Sequence, residues 1–155
     1  MTPQLRCLWE ESADRSLGLP EYATPGSAGA DLRANLPADM REGGVTLGLM
    51  QRALIPTGLR LEIPAGFEVQ LRPRSGLALR HGITLVNTPG TIDSDYRGPL
   101  GVLMINLGAE PYTVAHGDRI AQMIVAPVLQ ARFEDCDTLS DSARGEGGFG
   151  STGYS

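Results

Sequence analysis

Glycine and proline punctuate this chain too densely for it to build long helices. With 20 glycines and 11 prolines in 155 residues, about a fifth of the positions either loosen the backbone or fix it. Hydrophobic residues still make up 41% of the chain, which argues against wholesale disorder. They fall in short runs between the breaks. Leu59, Leu61 and Ile63 alternate with Arg60 and Glu62, the pattern of a half-buried strand, and 67–71 repeats it after a Pro64-Ala65-Gly66 turn. Residues 5–10, 83–86, 102–107 and the apolar run after Arg119 read as further strands. Short strands joined by such turns predict one antiparallel, mostly β domain. Only 77–81 has helical composition, with Ser75 placed to cap it and Gly82 to stop it. Residues 37–48 read as a loop.

Charge and composition exclude several classes of function. The formal net charge of -5 disfavours a general nucleic-acid binder or an acidic-membrane binder. No apolar run approaches the roughly 20 residues that span a bilayer, and residues 1–10 lack a basic start followed by an apolar core; a soluble, cytoplasmic protein is expected. Cys7 and Cys136 stand far apart, in no metal-binding spacing, and are expected to be free thiols. His81 and His116 are isolated, against a histidine triad or a metal cage. All 13 basic residues are arginine. Arg72, Arg74, Arg80, Arg97, Arg119 and Arg144 lie in or beside the polar segments described next, and guanidinium suits bidentate phosphate contacts. Local arginines on an acidic chain point to a small anionic ligand.

The richest segment is 84–101, TLVNTPGTIDSDYRGPLG. It sets a turn, two acids, an aromatic and an arginine between apolar strands, where binding groups are commonly placed. Strand alternation would put Asp93 and Asp95 on one side and Tyr96 on the other. In RPRSGLALRHGI, the amides at the start of the short helix, the Ser75 hydroxyl and Arg74 would form an anion site. PGSAGADL places small residues around Asp31, so that another backbone or an arginine can come close. In HGDRIAQMIVAPV, alternation puts Gln122 on one face with Ile120 and Ile124, as a satisfied core amide or as a group facing a cavity. The last residues, RGEGGFGSTGYS, read as a tail, yet an arginine, one phenylalanine and Ser-Thr-Gly could wrap a phosphate chain and cover a base. No GxxxxGK[ST] is present.

Together these five segments resemble, in order and spacing, the five motifs of the trimeric deoxyuridine triphosphate nucleotidohydrolases (dUTPases), over nearly the whole chain. The resemblance implies an all-β, jelly-roll-like barrel with one short helix at 1–143 and a flexible, glycine-rich arm at 144–155. It implies a homotrimer whose active sites are shared between subunits, with no nucleic-acid or membrane partner. Asp93 matches the general base that activates water against the α-phosphorus, and Gln122 the motif-four glutamine near that water. Asn87, with the neighbouring Thr91 and Ile92, matches the groups that read uracil, and Tyr96 the aromatic that packs on deoxyribose. Arg74, Ser75 and Gly76 match phosphate-binding elements. Arg144, Phe149, Gly150 and Ser151 match the arm. Asp31 matches an acid that orders the metal-water network, a possible outer contact of Mg²⁺, which is itself held by the triphosphate and waters. Pro99 departs from the pattern, since a polar residue is common there, and points to an edge or bulge.

The reaction so implied is hydrolysis of dUTP to dUMP and pyrophosphate. Two other readings are kept in view. A related dCTP deaminase would need an acid placed for amine loss, and a catalytically silent nucleotide sensor would keep the pocket without the chemistry.

Overall fold

The computed structural model describes residues 2–148. Eleven strands and one α-helix follow in the order β1 (Arg6–Trp9), β2 (Glu21–Tyr22), β3 (Ala30–Arg33), β4 (Val45–Leu47), β5 (Arg52–Glu62), β6 (Phe67–Arg72), α1 (Ser75–His81), β7 (Ile83–Leu85), β8 (Gly90–Ile92), β9 (Pro99–Asn106), β10 (Tyr112–Val114) and β11 (Arg119–Pro127), with 3₁₀ turns at Arg15–Leu17 and Ala38–Met40. The pairing is antiparallel throughout. One sheet runs β1-β5-β9-β7, a second β2-β3-β11-β6-β8, and β10 pairs with β4. This is the all-β, jelly-roll-like fold expected. No helix of the described residues is long and apolar enough to cross a membrane.

A single core joins the sheets. Strand β9 shows how alternation builds it: Leu100, Val102 and Met104 point inward and are buried. Each contributes roughly 1.5–3 kcal/mol by leaving water. The next inward position is Asn106, fully buried. Its amide nitrogen donates to Leu47 O at 2.9 Å and Glu110 O at 2.8 Å, and its oxygen accepts from the Gly108 amide at 2.8 Å. A polar side chain in the core thus stitches β9 to β4 and to the loop before β10.

Three sequence expectations need correction. Residues 37–48 are not all loop: β4 lies within them, too short to give a period-2 signal. Ser75 makes no side-chain cap; Arg74 occupies the cap position of α1, and Ser75 is its first helical residue. Gly82 does stop the helix, at φ 67°, donating its amide to Ala78 O and Leu77 O. The third concerns β11, whose register against β3 shifts between Arg119 and Ala121. The bulge sends both Ile120 and Ala121 into the core, so Gln122 shares its half-buried face with Ile124 and not with Ile120. Pro99 is the first residue of β9, opposite Arg60, a position that tolerates a missing N–H.

Candidate active site

The middle of the second sheet carries an anion pocket. Register sets Gln122 of β11 opposite both Asp31 of β3 and Arg72 of β6, so the end of β6 delivers Arg74 and α1 to the same place. The cavity of about 470 Å³ is bounded by Gly29, Asp31, Arg74, Ser75, Arg119 and Gln122, with Gly76, Arg80 and His81 at its edge. Asp31 binds an arginine on each oxygen: Arg74 Nε is 3.4 Å from Oδ1 and Arg119 Nη1 is 3.1 Å from Oδ2. Arg74 Nη1 also donates to Arg119 O at 3.0 Å. The fork of Arg74 is therefore held at two points, with its outer face toward the cavity rim. Gln122 Nε2 donates to Pro73 O at 3.2 Å, which orients the amide beside the helix start. Gly29 is required by this packing, since a Cβ there would come within 2.5 Å of Gln122 Oε1. Three arginines against one carboxylate make the cavity locally positive on an acidic chain.

The turn before β11 locks this arrangement. Gly117 donates to Ala34 O and Ala34 to Asp118 O, each at 2.8 Å. His116 Nδ1 accepts the Leu36 amide at 3.0 Å, so its Nε2 carries the proton and donates to Asp14 Oδ2 at 3.1 Å. The Ser16 hydroxyl, then His116 and the Ser16 amide, bring the Asp14 carboxyl down to about 2.

A second group of residues sits around the turn that leads from β7 in the first sheet to β8 at the edge of the second, and just beyond β8. Asn87 lies in that turn, with the amide against Gly90, where a Cβ would stand 3.3 Å from Nδ2. Thr91 is exposed and Ile92 half-buried on β8. Asp93, exposed, begins a turn in which the Tyr96 amide donates to Asp93 O at 3.2 Å. Arg97 Nη1 clasps that turn by donating to Ser94 O at 2.6 Å and Tyr96 O at 2.9 Å. The expected strand alternation of Asp93, Asp95 and Tyr96 therefore does not apply: β8 ends at Ile92, and the chain curls. Tyr96 folds back instead, its hydroxyl donating to Pro99 O at 3.1 Å.

The two groups stand apart within one chain. Ile92 pairs with Val69, so Asp93 leaves the sheet near the start of β6, whereas Arg74 follows its end. Asp93 lies at the level of Glu68, six positions before Arg74 along β6 and the extended residues that follow it, roughly 20 Å. Arg144 joins neither group. It is exposed in a turn where its Nε donates to Gly147 O at 2.6 Å. Phe149, Gly150 and Ser151 lie outside the described residues. Arg119 is the residue that sequence reasoning left without a role. Its signal was the Gly-Asp-Arg beside Gly-Ala-Asp, two motifs whose strands prove to be neighbours.

The sequence profile of the dUTPase family matches residues 15–153. The deoxyuridine 5'-triphosphate nucleotidohydrolase of Dinoroseobacter shibae is 60% identical over 153 residues, covering 99% of this chain and 99% of that protein. That of Roseobacter denitrificans is 64% identical over 149 residues, 96% and 95% of the two chains. Among solved structures, a mutant dUTPase of Staphylococcus bacteriophage 80alpha with dUpNHpp superposes with a TM-score of 0.80 at 25% identity, covering 99% of each chain.

Proposed function

The chain belongs to the dUTPase family, and from that membership we propose that the segment around β8 of one copy and the anion pocket of another close on a single molecule of dUTP. The enzyme hydrolyses dUTP to dUMP and pyrophosphate, which keeps uracil out of DNA and supplies dUMP for thymidylate synthesis. What carries the shared-site reading is the separation of Asp93 from Arg74 along β6, too large for both to act beside one α-phosphorus within a subunit. A homotrimer closes that gap. Exposed Leu54, Leu79 and Leu107 are apolar surface that such an assembly can cover.

Asp93 orients the water and accepts its proton as the oxygen attacks the α-phosphorus, and the bond to the departing pyrophosphate breaks on the opposite side. An exposed carboxylate is a weak base, so most of the acceleration comes from placing the water and stabilising charge. Arg74, the Ser75 hydroxyl and the amides of Ser75 and Gly76 receive the phosphates, with Gln122 beside the water. Asn87, Thr91 and Ile92 meet the uracil edge, and Tyr96 fills the space a ribose 2'-hydroxyl would need. Residues 144–155 form an arm that brings Arg144 to the terminal phosphate and Phe149 over the base.

The donor set suits Mg²⁺ carried in by the nucleotide. Both oxygens of Asp31 already bind arginine, which leaves this carboxylate to order waters around the ion rather than to bind it directly. When bound, Mg²⁺ supplies neutralisation of the triphosphate charge. Free Cys7 and Cys136 fit the reducing cytoplasm.

Pyrophosphate release from dUTP, dCTP, dTTP and UTP with Mg²⁺, in the wild type and in Asp93→Asn, tests this reading. Selective release from dUTP, reduced at least about 10²-fold in the variant, is expected. Ammonia from dCTP would favour the deaminase, and nucleotide binding without any release would favour the sensor.

A further inference from the structure

We infer that Gly98 is a specificity-determining residue, acting through Tyr96 to decide how strongly the enzyme rejects a ribonucleotide. The inference rests on the proposed placement of the Tyr96 ring against the sugar. Tyr96 is 44% exposed, so core packing does not fix its direction. Two contacts do. The hydroxyl donates to Pro99 O, and the hydroxyl end of the ring packs against Gly98. A Cβ built on Gly98 would clash with that end, 2.5 Å from Cζ, 2.9 Å from Cε2 and closer still to the hydroxyl oxygen. Arg97 fixes the turn on the near side of the ring. Pro99 fixes the far side, because its φ is set by the pyrrolidine and it begins β9 opposite Arg60. The ring is thus held by its hydroxyl end against a bare stretch of main chain, and any side chain at position 98 removes the seat. Gly98 is not among the residues whose φ requires glycine. Its lack of a Cβ therefore serves the ring beside it and not the backbone itself. An exposed ring can swing outward on χ1 without disturbing the core, so the substitution should spare the fold and spoil the selection.

The test is the ratio of kcat/KM for dUTP over UTP in Gly98→Ala, Tyr96→Ala, the double variant and Tyr96→Phe, each with its melting temperature. Gly98→Ala is expected to lower the ratio about tenfold or more, within the range a pocket attains against an added hydroxyl, while kcat on dUTP falls less. In the Tyr96→Ala background the same change should lower the ratio no further. Tyr96→Phe, which keeps the seat but loses the bond to Pro99, should lower it about threefold. An unchanged ratio in a folded Gly98→Ala, or an equal further loss in the Tyr96→Ala background, overturns the inference alone. If Gly98→Ala does not fold, an unchanged ratio in Tyr96→Phe overturns it. A wild type that fails to prefer dUTP overturns both the inference and the sugar contact on which it rests.

Discussion

Arg74 does two things that a lysine could not do together. Its Nε faces Asp31 while Nη1 reaches Arg119 O, a fixed fork that a single ammonium cannot reproduce. Arg74→Lys is expected to lower kcat/KM for dUTP about tenfold or more with little change in melting temperature, measured by steady-state kinetics. Asp14 gives a pH signature. Its folded carboxyl sits near 2 against an ordinary 3.8, so its contribution is complete above about pH 4 and is lost as pH falls toward 2. Urea unfolding across that window should show a shallower fall in stability for Asp14→Asn than for the wild type. At this scale the motifs bring Asp31, Arg74, Ser75 and Gln122 into one cavity, while Asn87, Asp93 and Tyr96 lie apart from it. The sequence marked Arg119 only as one of several arginines and gave no sign of Gly98, because their surroundings lie across a strand pair or against a neighbouring ring.

The elements were readable where alternation ran long enough to be seen. The cores of β5, β6 and β9 follow from it, and Gly82 was legible as the end of α1. Short strands and irregularities were not: β4 and β10 have three residues each, and one bulge in β11 reassigns Ile120 to the core. The junction of α1 with β9 illustrates a constraint no local pattern reveals. A Cβ at Gly82 would meet the backbone of Gly108 at 2.5 Å, at a φ that side chains already disfavour. Gly82→Ala is therefore expected to cost about 2 kcal/mol or more in thermal unfolding, combining backbone strain with a clash that neither partner can relieve. Asn106→Ala should cost about 3 kcal/mol, since it strands Leu47 O in the interior and removes the partners of the half-buried Gly108 amide and of Glu110 O.

For the molecule as a whole, the proposed division of labour along β6 would make activity a property of the assembly. Asp93→Asn and Arg74→Gln, each nearly inactive alone, should regain part of the wild-type rate when unfolded together and refolded as mixed oligomers, because some sites then join an intact Asp93 turn to an intact pocket. Pyrophosphate release by the mixture no greater than the sum of the two separate variants would count against shared sites. Composition and periodicity give no sign of such sharing; the proposal of it rests on where the ladder places two ends of one strand. The segment 128–148 adds a further consequence. After Val128 donates to Gly66 O, it runs to the end of the described residues without joining a sheet, bearing exposed Leu129, Phe133 and Leu139. Drawn out, it reaches roughly 70 Å. With the arm acting as proposed, a leash of that length would turn capture of a neighbouring nucleotide into a search within a small volume, at a local concentration on the order of millimolar. Severed from the chain and supplied as a free peptide, the same residues would have to be added at about that concentration to do the same work.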